Sequence, residues 1–182
     1  MSRAGNRPIK IDEGVKVTID SDKVNVAAEK GSLDIKILPG IVVKEVDGNV
    51  VVTRNSDEPD LRAKHGLIAR LIKNAIEDLK NGVKKDLEFV GTGYRAKTEN
   101  GILVLTMGYS HDIELQIPKN MIATVKKNTI TIEGSSRADV GEFAAKVREV
   151  RPPEVYKGKG IKYAGEQIKR KAGKAAQAVG KE

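Results

Sequence analysis

The 182-residue chain contains no cysteine and no tryptophan, and each absence removes a class of chemistry. Without thiols there are no disulfides, thiolate zinc sites or cysteine nucleophiles, which agrees with a reducing compartment. Four tyrosines and two phenylalanines are the whole aromatic content, too little for a surface that works by stacking on flat rings. No eighteen apolar residues run together, and the opening MSRAGNRPIKIDEG has no apolar signal core. Neither membrane insertion nor export is expected, and the cytoplasm is the expected compartment.

What the chain does have is positive charge, formally +8, and its distribution is uneven. Residues 1–82 carry 14 Lys or Arg against 13 Asp or Glu, whereas 83–182 carry 19 against 12. From Phe143 to Glu182 there are 11 basic residues and 4 acidic ones, so nearly all of the excess sits in the last forty positions. Clustering of this kind is the electrostatic footprint of nucleic-acid binding, with an anionic membrane surface as the weaker alternative. A membrane reader needs an apolar helical face or a lipid anchor. The tail IKRKAGKAAQAVGKE offers only Ile168 and Val179 as large apolar residues.

Within that basic quarter lies PPEVYKGKGIKY, from Pro152 to Tyr163. Lys157, Lys159 and Lys162 supply cationic heads, and Gly158 and Gly160 remove side chains that would hold another backbone away from the main-chain amides. On residue types alone a solvated turn fits equally well.

Most of the chain alternates as short strands. Val15–Ile19, Lys23–Ala27, Leu33–Ile37, Ile41–Glu45 and Asn49–Thr53 are separated by Gly, Asp and Asn turns and predict a meander. Apolar positions Leu61, Leu67, Ile68, Leu71, Ile72, Ala75, Ile76 and Leu79 then fall at helical spacing, after Pro59–Asp60 and before Asn81–Gly82. The order repeats. Strand-like runs at 86–91, 94–98, 101–108, 111–117, 122–126 and 129–133 precede a helix from Ala138 to Val150, closed by Pro152 and Pro153. This predicts an α+β protein of two similar tandem domains, each a mostly antiparallel sheet packed against one main helix, with boundaries at 1–82, 83–164 and a basic tail at 165–182.

Catalytic templates fail on context. Gly91, Gly93 and Ala96 have the GxGxxA spacing, but a dinucleotide fingerprint needs a helix to receive the pyrophosphate, and YRAKTENGILVL leads into another strand. His65 and His111 have no second ligand nearby in the sequence and fit packing or surface positions. Carboxylates such as Asp57, Glu58, Glu77 and Asp78 are scattered in loop and helix-surface contexts. No enzyme, metal, cofactor or small-molecule substrate is expected. With so few aromatics, the nucleic-acid mode that remains is shape recognition of a folded, helical RNA through phosphates and 2'-hydroxyls; DNA is not excluded by the chemistry.

The run Pro153–Ile161 resembles the signature of the bacterial-type protein six family of the large ribosomal subunit. MSRAGNRPIKI, HGLIARLIKNAIEDLKNGV from His65 to Val83, and LEFVGTGYRAK from Leu87 to Lys97 resemble the same family in the same order. Val155 stands where proline is expected, and Thr92, Ala4 and Asn6 also depart from the usual residues; without proline, φ at position 155 is not fixed. The resemblance implies two similar α+β domains and a structural role on large-subunit ribosomal RNA near the stalk base and the sarcin-ricin stem. Neighbouring ribosomal proteins and, close by, translation factors are the implied partners. It places most RNA contact on the second domain and C-terminal extension. Two loops follow: Gly91, Gly93, Tyr94, Arg95 and Lys97 in one; Arg151, Tyr156, Lys157, Gly158, Lys159, Gly160, Lys162 and Tyr163 in or beside the other. Lys169, Arg170, Lys171 and Lys174 form a tail expected to be mobile when free and ordered on RNA.

Overall fold

Alternation in the strands and a 3.6-residue period in the helices each bury one face. The computed structural model describes residues 4–171. The chain divides at Val83/Lys84 into two compact units. In the first, a short 3-10 turn at Ala4–Asn6 leads to strands β1 (Ile9–Lys10), β2 (Lys16–Ile19), β3 (Lys23–Ala28), β4 (Gly31–Lys36), β5 (Ile41–Val46) and β6 (Asn49–Arg54), and then to helix α1 (Pro59–Asn81). In the second come β7 (Val83–Val90), β8 (Arg95–Glu99), β9 (Ile102–Thr106), β10 (Ile113–Gln116), β11 (Met121–Lys126), β12 (Thr129–Gly134), α2 (Arg137–Val150) and β13 (Gly160–Tyr163).

Hydrogen bonding divides the strands of each unit between two sheets. The five strands expected as one meander separate after β4, because the chain turns through Leu38–Ile41, where Ile41 N–H donates to Leu38 O at 3.2 Å and Gly40 has φ +85°. Strands β2-β3-β4 make one sheet and β1-β6-β5 the other; in the second unit the orders are β10-β9-β8 and β11-β12-β7-β13. Three-strand meander, hairpin and helix therefore recur in the same order. The one addition among the described residues is β13, which pairs antiparallel with the free side of β7.

Side-chain alternation sets which face each strand buries. In β6, Val50 and Val52 point inward. Against them, and against Val24 and Val26 of β3, α1 lays Ile68, Ile72, Ala75, Ile76 and Leu79, all buried at i, i+4, i+7, i+8 and i+11. Each fully buried Val, Leu or Ile contributes roughly 1.5–3 kcal/mol, so one helical stripe outweighs any surface ion pair. In the second unit Leu87, Phe89, Leu103, Leu105, Met107, Ile130, Ile132, Val140, Phe143, Ala144 and Val147 form the corresponding core. The helix ends differ. Proline at N1 opens α1 with no side-chain cap, whereas the Ser136 hydroxyl accepts the Asp139 N–H at 3.4 Å to open α2.

His65 is buried on α1 and serves the fold. Its Nε2 lies 2.9 Å from Val52 O and its Nδ1 2.9 Å from the Arg54 guanidinium. A carbonyl only accepts and a guanidinium only donates, so the ring is the tautomer with the proton on Nε2, tying α1 to β6. His111 is exposed beside Ser110, whose hydroxyl is 3.4 Å from Nδ1.

Candidate nucleic-acid interface

The antiparallel register of β13 on β7 builds the site. Gly160 lies opposite Val90, Ile161 opposite Phe89, Lys162 opposite Glu88 and Tyr163 opposite Leu87. Residues 91 and 159 therefore leave the sheet at the same end, so Gly91–Tyr94 and the loop before Gly160 emerge side by side; Arg95 and Lys97, expected in the first loop, are strand residues of β8, paired with Thr106 and Val104 of β9. The first eight residues of PPEVYKGKGIKY, Pro152–Lys159, are the loop; its last four, Gly160–Tyr163, are a strand and not a loop. Its one large aliphatic, Ile161, is fully buried, and that burial is what ties it down.

Backbone hydrogen bonds close the loop on itself: Ile161 N–H to Arg151 O at 2.7 Å, Glu154 N–H to Lys159 O at 2.8 Å and Gly158 N–H to Glu154 O at 3.0 Å. At Gly160 (φ +133°) a Cβ would stand 2.6 Å from Pro152 O and 2.7 Å from Pro153 Cα. This glycine is required by the loop's own backbone; no guest is needed to explain it. Gly93 differs, with φ +78° and nothing within 4 Å of a Cβ position, so the space above it is open. At the tip Val155 and Tyr156 are exposed, the tyrosine by 55%, between the exposed Lys157 and the turn after α2.

Tyr94 and Arg151 join the two loops. A Cβ on Gly91 would meet the Tyr94 ring at 2.5 Å, and one on Gly108 at 3.4 Å, so the Tyr94 ring packs beside two glycines. The Arg151 guanidinium sits 5.2 Å from the centroid of Tyr109. Tyr109 first, and then Tyr94, hold it still more firmly in its charged form. The Tyr109 hydroxyl donates to Val150 O at 2.8 Å, at the end of α2. Tyr109 was invisible in the sequence as a site residue, since nothing in GYSHD marks it; only the fold brings that turn to this end of the unit.

Several of the expected cations are already engaged. Lys162 pairs with Glu88 at 3.2 Å across β13 and β7, and Lys97 with Glu99 at 3.1 Å. Tyr163 faces Lys85 and Arg148, 5.0 and 5.6 Å from its centroid. Glu166 accepts from Arg148 at 2.8 Å and from the Tyr163 N–H at 2.9 Å, which hold its carboxyl below the usual glutamate range in that order of importance. Arg95, Lys157, Lys159, Lys169, Arg170 and Lys171 are exposed and have no carboxylate partner among the described residues. The chain doubles back to bring the last of these close: Lys171 N–H donates to Val155 O at 3.0 Å, and the Arg170 guanidinium is 3.2 Å from where a Gly158 Cβ would stand. Lys174 lies outside the described residues.

Two folded units of one topology, the second with exposed cations gathered around neighbouring loops, invite comparison with known proteins. The family model described as Ribosomal protein L6 matches residues 11–82 and 90–164, one stretch in each unit. The chain is 46% identical over 183 residues to the large ribosomal subunit protein uL6 of Thermomicrobium roseum, covering all of both chains. It is 46% identical over 178 residues to the protein of that name in Halalkalibacterium halodurans, covering 97% of this chain and 100% of the other. Against that of Synechococcus elongatus it is 43% identical over 178 residues, with 97% and 99% covered. A match that takes in both units, with relatives aligned from end to end, places the chain in the ribosomal protein L6 family.

Proposed function

We propose that this chain is a non-enzymatic structural constituent of the large ribosomal subunit in the cytoplasm. It grips ribosomal RNA with the second unit and the start of the tail, near the stalk base and sarcin-ricin stem. There it supports assembly and the region where translation factors dock, beside neighbouring ribosomal proteins. The observation that carries the RNA surface is the Gly160–Val90 register, which sets Gly91–Lys97 and Arg151–Lys159 next to each other. Arg95, Lys157 and Lys159, joined by Lys169, Arg170 and Lys171, present exposed cationic heads, while the open space over Gly93 admits a sugar-phosphate backbone. Arg95 supplies a fork that matches a phosphate, and Arg151, held by Tyr109 and Tyr94, adds a fixed positive charge. Lys162 and Tyr163 serve chiefly to anchor β13 beneath the loops, and Lys174 extends the same basic tail.

The test is RNA affinity against salt. If about five phosphates are neutralised, log K should fall against log salt with a slope of roughly −3.5 to −4.5, depending on RNA geometry. A fragment of large-subunit RNA spanning the stalk base should outcompete generic duplex RNA. A flat slope, or equal competition, would sink this assignment.

A further inference from the structure

We propose that the open edge of β1, with the adjoining face of α1, is a docking site for an extended acidic peptide segment of a partner protein. The second unit supplies the template. There β13 lies along the outer side of β7, seats Ile161 out of solvent against α2, and sets Lys162 beside Glu88 at 3.2 Å. In the first unit β1 holds the place of β7: the order β5-β6-β1 repeats β11-β12-β7, and Ile11 N–H donates to Gly48 O at 3.3 Å as Phe89 N–H donates to Asn128 O at 3.0 Å. Ile11 thus corresponds to Phe89 and Lys10 to Glu88. Among the described residues no strand occupies the place that β13 fills.

A groove of about 390 Å³ is found there instead, between β1 and α1. Buried Ile9, Ala69 and Ile76 form its apolar floor, and Arg7, Lys10, Arg70 and Lys73 contribute its positive rim. Strand alternation turns the N–H and C=O of Lys10 away from β6 and into the groove, since Ile11 bonds the other way. Pro8 contributes only a carbonyl. The pairing on offer is short, so an apolar slot and charge must supply the selectivity.

The charge pattern names the occupant. Lys10 stands where Glu88 stands in the second unit, so the residue opposite it should be acidic where β13 carries Lys162. Of the groove's two carboxylates, Asp12 is held by Lys80 at 3.0 Å and Glu77 by Lys73 at 3.6 Å. Arg7, Lys10 and Arg70 have no ion-pair partner among the described residues. A phosphate backbone would satisfy the three cations but would waste both the outward amide and the apolar floor. An extended segment with an aliphatic residue followed by Asp or Glu uses all of them.

The experiment uses the full chain, isotopically labelled, and two capped hexapeptides copying residues 159–164, one unchanged and one with Lys162→Glu. The altered peptide should shift the amide signals of Ile9, Lys10, Ala69, Arg70 and Ile76, slow exchange of the Lys10 amide, and bind at least tenfold more tightly than the unchanged one. In the Lys10→Glu protein, whose substitution lies on an exposed side chain and should leave the melting temperature in place, the preference should reverse. Equal binding of the two peptides, or no shift at millimolar concentration, would overturn the proposal. So would a duplex RNA that perturbs these residues while neither peptide does.

Discussion

Residues 1–83 and 84–182 build the same arrangement of two sheets and a helix, yet 14 basic residues meet 13 acidic ones in the first and 19 meet 12 in the second. The second unit also closes its β7 edge with β13, while among the described residues no strand pairs with the corresponding edge of β1. Topology has been kept where it depends on buried aliphatics, and charge has diverged where side chains are solvated and contribute little to folding. A duplicated fold can thus change the charge of one copy without altering either core.

Loosening β13, found in the second unit, should produce the largest effect. Ile161→Ala should cost about 2–5 kcal/mol, because a fully buried side chain that pins β13 is lost. Chemical denaturation would show it, and a cost under about 1 kcal/mol would mean that β13 adds little to the second unit. Next comes the charge difference itself. Lys157→Ala with Lys159→Ala should lower the magnitude of the salt slope by roughly 1.4–1.8 and leave the melting temperature nearly unchanged. The same pair of changes at the exposed Lys36 and Lys44 of the first unit should leave the slope alone; equal losses from both units would erase the functional asymmetry.

Smaller effects probe the anchoring of β13. Replacing Glu88 by Gln removes a partly exposed ion pair with Lys162 and should cost about 0–1 kcal/mol, read by thermal melting; RNA affinity that rises strongly instead would mean that Lys162 is available to phosphate. The smallest is a pH effect at Glu166. Its folded-state pKa is lowered by Arg148 and the Tyr163 N–H, so its stabilising contribution is full above the unfolded glutamate pKa of about 4.3. That contribution fades as pH falls through the depressed value. Glu166→Gln should flatten this part of the acid melting profile and change nothing near neutrality in its pH slope. An unaltered acid profile would show that the carboxylate is not held there.

The strands and both helices were legible because their apolar residues recur with clear periods: Val50 and Val52 in β6, or Ile68, Ile72 and Leu79 in α1, announce their own buried faces. β1 and β13 were not. Each has a single core aliphatic, Ile9 or Ile161, beside proline, glycine or lysine, and two to four residues carry no period. Of the site, the clustering of Lys157, Lys159 and the tail cations was visible as charge. That Gly160 is demanded by Pro152 and Pro153, that Lys162 answers to Glu88, and that Tyr109 braces Arg151 depends on residues about 8, 74 and 42 positions apart in the chain, a separation local pattern cannot bridge.

Composition and periodicity by themselves determined that this is a duplicated α+β protein with its positive charge gathered at one end of the chain. They could do so because hydrophobic alternation and net charge are properties of neighbouring residues. The tertiary structure alone decided which of those charges are already neutralised and which two loops share an end of the sheet. It also decided which of the two equivalent sheet edges takes β13, since pairing register and ion pairs arise only when distant strands meet.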